Sequence, residues 1–333
     1  MLCIALSIGF ALPWAGDAGA QDRARDWHDY PALTTLQIDG TRVRAATEPD
    51  SAGQSLWVEF DSVKSGWSRP SGGPTPPPGD TLAAVRVFDG ALFDRYGSAS
   101  EIPLGDGFVL ARRDTGTALV RASDGVDLGW PRVTDEDIDD WAGEVRLGLP
   151  RDYPADRLRV LLLQKRLQND PGPTTFALGK RWFAIAGGFT GGDGQLGGLV
   201  AFDSTTATFA VTRHALLVDA AVTRLYARGD ALWIGTARYG PMSIEGMNGL
   251  LLYRPARREW RQFSVRNSRI SGDIVWDMAA NGEHLWVTTN AGVSRYDLAR
   301  KLWTSWYWNA AKDGAGYELR NRPPGDLAEE LIK

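Results

Sequence analysis

The chain has 333 residues, of which 43% are hydrophobic and 23% charged, a composition that supplies a buried core and excludes a disordered chain. Its 37 basic and 41 acidic side chains leave a formal net charge of −4, so the basic footprint of a nucleic-acid binder is missing. Fourteen Trp and 38 Gly pair large core aromatics with many turn residues, as short strands joined by tight turns require.

Residues 1–20 predict a secretory signal: an apolar run from Leu2 to Trp14 precedes Ala18-Gly19-Ala20, placing cleavage before Gln21. No Lys or Arg precedes that run. It is too short for a membrane span, and no later segment reaches the roughly 18 apolar residues that a span needs, so none is expected. Cys3, the only cysteine, falls inside the signal. The mature chain therefore has no disulfide, which fits a periplasmic or secreted protein of ordinary domain size.

From residue 30 onward the chain repeats. LQIDGTRVRAAT (36–47), LYARGDALWIGT (225–236) and MAANGEHLWVTT (278–289) share an apolar residue, a Gly four later, a position four further on and a Thr after three more. That third position holds Trp233 and Trp286, with Arg44 in the first copy. A fourth copy surrounds Gly179, with Phe183 in the aromatic position, and a weaker fifth surrounds Gly90. Downstream of each frame an aromatic is followed by another seven residues on: Phe60 and Trp67, Phe202 and Phe209, Tyr253 and Trp260, Tyr296 and Trp303; Ala111 and Ala118 keep the spacing alone.

Each unit is expected to be strand A, a tight turn at the Gly, strand B, a variable loop, strand C, a tight turn and strand D. The glycines Gly40, Gly90, Gly179, Gly229 and Gly282 are spaced by about 50 residues except for one interval of nearly twice that, which predicts a sixth, divergent unit. The expectation is an all-β fold, a β-propeller of four-stranded antiparallel blades over 21–320. Six blades are placed near 30–68, 80–120, 121–168, 170–212, 219–263 and 272–307, with a tail at 321–333; seven is the alternative count. In the divergent unit Leu158 to Leu163 is expected to be a strand, and residues 134–149 a short inserted helix. The segment Pro70 to Asp80 is a connection between units.

GDALWIGT (229–236), GEHLWVTT (282–289) and GVSRYD (292–297), with the looser GLLLYR (249–254) and GLVAFD (198–203), resemble the two-component regulator propeller repeat, whose pattern is approximately D-x-x-G-x-L-W-I-G-T followed by G-L-x-R-Y-D. The resemblance covers 170–308 closely and 30–120 through spacing. It implies a periplasmic, sensor-type propeller; with no kinase or output domain in the chain, the expectation is a free-standing binding module.

Propeller topology puts the B-to-C loops on one face. Here these are 48–55, 97–106, 187–197 and 237–248, with a short 290–291 in the last unit, and that face is the expected binding surface. Nine or ten residues before the unit glycines stand Asp80, Asp170, Asp219 and Asp273, with Tyr30 in the first unit. They form either a polar ring at the channel mouth or a set of aspartates that bond nearby backbone N–H groups. Arg238 and Tyr239, in a loop with Met242 and Met247, are further ligand candidates. No cofactor is expected, a divalent cation at the channel mouth being the one candidate. The partner is a small molecule, a glycan or a protein. The competing function is a propeller enzyme, a lyase or glycan hydrolase, working with carboxylates at the channel mouth.

Overall fold

The computed structural model describes residues 32–47, 54–62, 64–68, 101–113, 116–134, 154, 156–157, 159–160, 163, 171–185, 196–218, 220–238, 248–310 and 317–321. Within them the chain folds into five sheets. The first contains β1 (Leu33–Asp39), β2 (Arg42–Thr47), β3 (Trp57–Asp61) and β4 (Gly66–Ser68); the second, β5 (Glu101–Gly105), β6 (Phe108–Arg113), β7 (Gly116–Arg121) and β8 (Val126–Asp127). β9 (Arg132–Thr134) joins the third sheet, made by β10 (Pro171–Ala177), β11 (Lys180–Ile185), β12 (Leu196–Asp203) and β13 (Thr208–Val218). The fourth has β14 (Ala220–Arg228), β15 (Ala231–Arg238), β16 (Leu250–Arg254) and β17 (Glu259–Phe263). The fifth has β18 (Val275–Asn281), β19 (His284–Thr289), β20 (Gly292–Asp297), β21 (Leu302–Ala310) and β22 (Tyr317–Arg320). Pairing is antiparallel throughout except for β9, which adds parallel to the outer edge of β13.

Local chemistry explains the hairpins. Gly40, Gly229 and Gly282 take φ of +56°, +59° and +47° at the first position of two-residue turns, a conformation that costs a side chain and suits Gly. In the third sheet the turn glycine sits second, after Leu178 at φ +55°, so the register moves by one. The residue equivalent to Trp233 and Trp286 is therefore Trp182, not Phe183 as the spacing suggests; Phe183 points to the opposite face. The turns from third to fourth strand close differently. Asp203 Oδ1 accepts the Thr205 hydroxyl and the N–H groups of Thr205 and Thr206, and Asp297 Oδ1 the N–H groups of Arg300 and Ala299, which lowers both carboxyl pKa values.

Every seven-residue step proves to be a directly opposed cross-strand pair: Phe60 with Trp67, Phe202 with Phe209, Tyr253 with Trp260, Tyr296 with Trp303, and Ala111 with Ala118. The four aromatic pairs face the preceding sheet, the first sheet having the fifth as its predecessor. The ring of Phe108 on β6 meets Phe202 at 5.5 Å, Trp182 on β11 meets Tyr253 at 6.2 Å, and Trp233 on β15 meets Tyr296 at 5.6 Å. Trp286 on β19 then meets Phe60 at 4.9 Å. The same rule, a second-strand aromatic of one sheet against the third-strand aromatic of the next, thus carries the order from the second sheet through the fifth and on to the first. First strands follow it: β10 lies against β14, β14 against β18, and β18 against β1.

Three expectations are corrected. Residues 101–105, expected within a B-to-C loop, form β5, so Ala111 and Ala118 join the second and third strands of their sheet, not the third and fourth. The segment expected as a strand at 158–163 is helical at Arg159, Val160 and Leu163, and it buries Val160 and Leu163 beside Val133 and Phe209. The described residues of 121–168 make no sheet of their own: β8 belongs to the second sheet and β9 to the third. Residues 135–149, most of the expected inserted helix, and the frame around Gly90 lie outside the described residues.

Removing a buried indole forfeits its contact area and leaves a cavity. Trp286→Ala should therefore cost about 3–5 kcal/mol in urea denaturation, whereas Leu302→Ser, at a side chain 62% exposed, should stay within about 0.5 kcal/mol. Equal losses would contradict the sheet contact.

Candidate functional site

The first strands are where charged side chains of different sheets approach one another. Each of β1, β14 and β18 carries a register shift near its start, between Leu33 and Thr35, Val222 and Arg224, and Val275 and Asp277. A bulge re-aims the side chain beside it. Past the shift, Thr35 opposes Ala46, Arg224 opposes Gly235 and Asp277 opposes Thr288. All three are the same number of pairs from their hairpin and stand at one level on adjacent strands.

Asp277 links the three sheets. Its Oδ1 lies 3.1 Å from Arg224 Nε and accepts the Met278 N–H at 2.8 Å, while its Oδ2 accepts the Leu36 N–H at 2.9 Å. Burial pushes its pKa up, opposed by the Arg224 guanidinium and by the two backbone donors. Thr223 adds a neutral link, donating its hydroxyl to the Val275 carbonyl at 2.5 Å. A carboxylate held by a cation and two backbone donors fixes the geometry between the sheets.

Of the residues expected at the channel mouth, Asp273 is described in full. Its Oδ1 accepts the Val265 N–H at 2.7 Å and its carbonyl accepts the Gly249 N–H at 3.0 Å. Desolvation raises its carboxyl pKa, countered by the Val265 bond and by Arg266. This is the behaviour of an aspartate that ties a loop to its neighbours. Tyr30, Asp80, Asp170, Asp219 and Tyr239 lie outside the described residues, and Arg238 is described only as a strand residue paired with Ala220. Among the described residues no group of three or more His, Cys, Asp or Glu is placed to hold a metal ion. The pair the sequence reasoning missed, Arg224 and Asp277, had a signal: opposite charges each five residues before a turn glycine, Gly229 and Gly282.

The strand glycines also serve this end of the sheets. Gly249 and Gly292 precede or open the third strands, with φ of +64° and +150°, and a Cβ on either would overlap the carbonyl oxygen of Phe263 or Trp306 on the fourth strand. Towards the third-to-fourth-strand turn of the fourth sheet, His214 stacks on Trp260 with ring centroids 4.5 Å apart, and Trp260 on Tyr253 at 4.2 Å. His214 Nδ1 accepts the Leu216 N–H at 3.2 Å, and burial pushes the imidazole pKa down.

No family model matches the chain, and no curated protein matches it. Solved structures with a likeness include the extracellular domain of BT4673 from B. thetaiotaomicron, at 14% identity and TM-score 0.31, covering 79% of this chain and 27% of that one. The chain thus spans about a quarter of that protein's length. PorZ, a surface component of the type-IX secretion system of Porphyromonas gingivalis, matches at 12% identity and TM-score 0.30 over 85% of this chain and 38% of that one. The GH43 β-1,3-galactosidase BT3683 matches at 9% identity and TM-score 0.34 over 88% and 95%. Likeness this distant carries no weight for activity or sheet number, which rest on the chain's own geometry.

Two outcomes are expected. Asp277→Ala should cost about 3 kcal/mol in chemical denaturation, the low end for a broken buried pair because Arg224 keeps partial access to water. For His214, the folded pKa lies below the unfolded value near 6.5, so the unfolded chain binds more protons in that interval. Its contribution to stability is complete above the unfolded pKa and is lost as pH falls from there through the folded pKa. Melting temperature on acidification from neutral pH should fall more for the parent chain than for His214→Phe, which keeps the ring stack.

Proposed function

We propose that the chain is a secreted or periplasmic, non-catalytic binding module: a closed, sensor-like β-propeller whose second-to-third-strand loops form the ligand face. The observation that carries this reading is the asymmetry between the two ends of the sheets. At one end the connections are tight, running Asp39 to Arg42, Ala177 to Lys180, Arg228 to Ala231 and Asn281 to His284, with four-residue turns such as those from Asp203 to Thr208 and Asp297 to Leu302. At the other end, in three of the five described sheets, the chain leaves β2 at Thr47 and re-enters at Trp57, leaves β11 at Ile185 and re-enters at Leu196, and leaves β15 at Arg238 and re-enters at Leu250, while Arg113 to Gly116 and Thr289 to Gly292 are short. Long, dissimilar loops on a rigid scaffold are the usual place for recognition.

Closure is supported by the aromatic contact rule, which continues from the last sheet to the first. Five sheets are described, and a count of six requires the sequence frame around Gly90 to supply one more. Binding is favoured over carboxylate catalysis because Asp273 and Asp277 each hold backbone N–H groups of neighbouring segments, and Asp277 also holds Arg224, which are joining roles. The partner is a small molecule, a glycan or a protein.

A thermal-shift series with divalent cations, oligosaccharides and peptides tests this. A ligand specific for the folded state, at a hundred times its Kd, should stabilise by about 2.7 kcal/mol. Replacing residues 239–247 by a short Gly-Ser linker should abolish that shift without moving the unliganded melting temperature. Substituting the opposite-face turn at Pro255–Arg257 should leave it intact. A shift that survives the linker, or turnover of a glycan, would defeat the reading, the latter in favour of a propeller enzyme.

A further inference from the structure

We propose that a cleft at the outer edge of the third sheet binds a small hydroxylated oxyanion, a carboxylate or phosphate carried on a sugar-sized body. This site is separate from the loop face and does not depend on it. β9 extends the sheet beyond β13, and Thr134 anchors it there by donating its hydroxyl to the Phe209 carbonyl at 3.1 Å. The helical residues Val160 and Leu163 pack into the same core as Val133 and Phe209. Between β9 and the helical segment opens a cleft of about 440 Å³, lined by Trp130, Arg132, Thr134, Asp156, Arg157 and Arg159 over a floor of Val133 and Val160. Its size lies within the range of small-molecule sites.

Three guanidiniums and one carboxylate share this cleft. Among the described residues none of the three forms an ion pair, with Asp156 or with any other carboxylate, although other arginines of the chain do. Arg157 lies over the Trp130 ring at 5.3 Å, and Arg159 Nε is buried without a hydrogen-bond partner. A buried donor left unmade is costly and like charges lining one cleft repel, and a bound anion would offset both. Guanidinium forks match the paired oxygens of a carboxylate or phosphate. Asp156 can accept only from donors, which a hydroxylated ligand supplies and a bare anion does not.

Calorimetric titration of the full chain with galacturonate, galactose 6-phosphate, galactose and inorganic phosphate tests the proposal. One or both acidic sugars should bind, the tighter of the two naming the anion, with galactose and inorganic phosphate at least tenfold weaker. Arg132→Gln with Arg157→Gln, both at exposed side chains, should leave the melting temperature unchanged and lower affinity by about ten- to a hundredfold, as expected for lost charged hydrogen bonds. The 239–247 linker variant should retain binding, which separates this site from the loop face. Failure of both acidic sugars to bind, galactose binding as tightly as they do, or full affinity in the double variant would overturn the site. Inorganic phosphate binding as well as galactose 6-phosphate would overturn the hydroxylated ligand class.

Discussion

The contact between the last sheet and the first is the constraint from which the rest of the arrangement follows. A sheet with two apolar faces needs a neighbour on each. Here Trp286 and Trp306 of the fifth sheet enclose Phe60 of the first at 4.9 and 5.0 Å, Trp67 closes the cluster, and Arg295 lies over three of the rings. Desolvation by these rings lowers the Arg295 pKa without removing its charge at neutral pH. Two segments more than two hundred residues apart become neighbours, and the same juncture carries the Asp277 bond to Leu36 and the Trp306 indole bond to the Ser65 carbonyl.

That juncture explains why the charges on the first strands are structural. Strand starts of three sheets meet there, where Arg224 and Asp277 face each other and the Leu36 N–H reaches the same carboxylate. An unpaired carboxylate there is expensive, so Asp277 is retained with a cation and two N–H donors around it. Polar groups that join sheets are tied to structure, and the sites proposed for recognition accordingly lie elsewhere, on the loops and at the edge of the third sheet, where Arg132, Arg157 and Arg159 form no ion pair among the described residues.

The repeat was legible because each unit solves the same packing problem with the same side chains. The seven-residue steps mark opposed residues in hairpins, and they do so even where aromatics give way to Ala111 and Ala118. That generality also limits the signal: the spacing identifies a hairpin but not which hairpin of the sheet, and the frame of the second sheet was displaced accordingly. Spacing from the turn glycine points to Phe183 and the strand register to Trp182, because a turn residue at positive φ, Leu178, moves the register without altering the count of glycines. The helical segment around Val160 looked like a strand because a short apolar run has no period of its own to distinguish the two.

The sequence by itself determined the class of structure: short antiparallel strands, their turn glycines, and aromatics set at intervals that place them on sheet faces, all of which are local consequences of backbone sterics and of side-chain period. The tertiary structure alone decided which sheet follows which, that the first strand lies against the last sheet, and that Asp277 pairs with Arg224. It also placed Arg132, Arg157 and Arg159 around one cleft. These depend on which surfaces are left to be covered once the sheets exist; the shared five-residue offset of Arg224 and Asp277 from Gly229 and Gly282 sets their level on the strands but not which partner each meets.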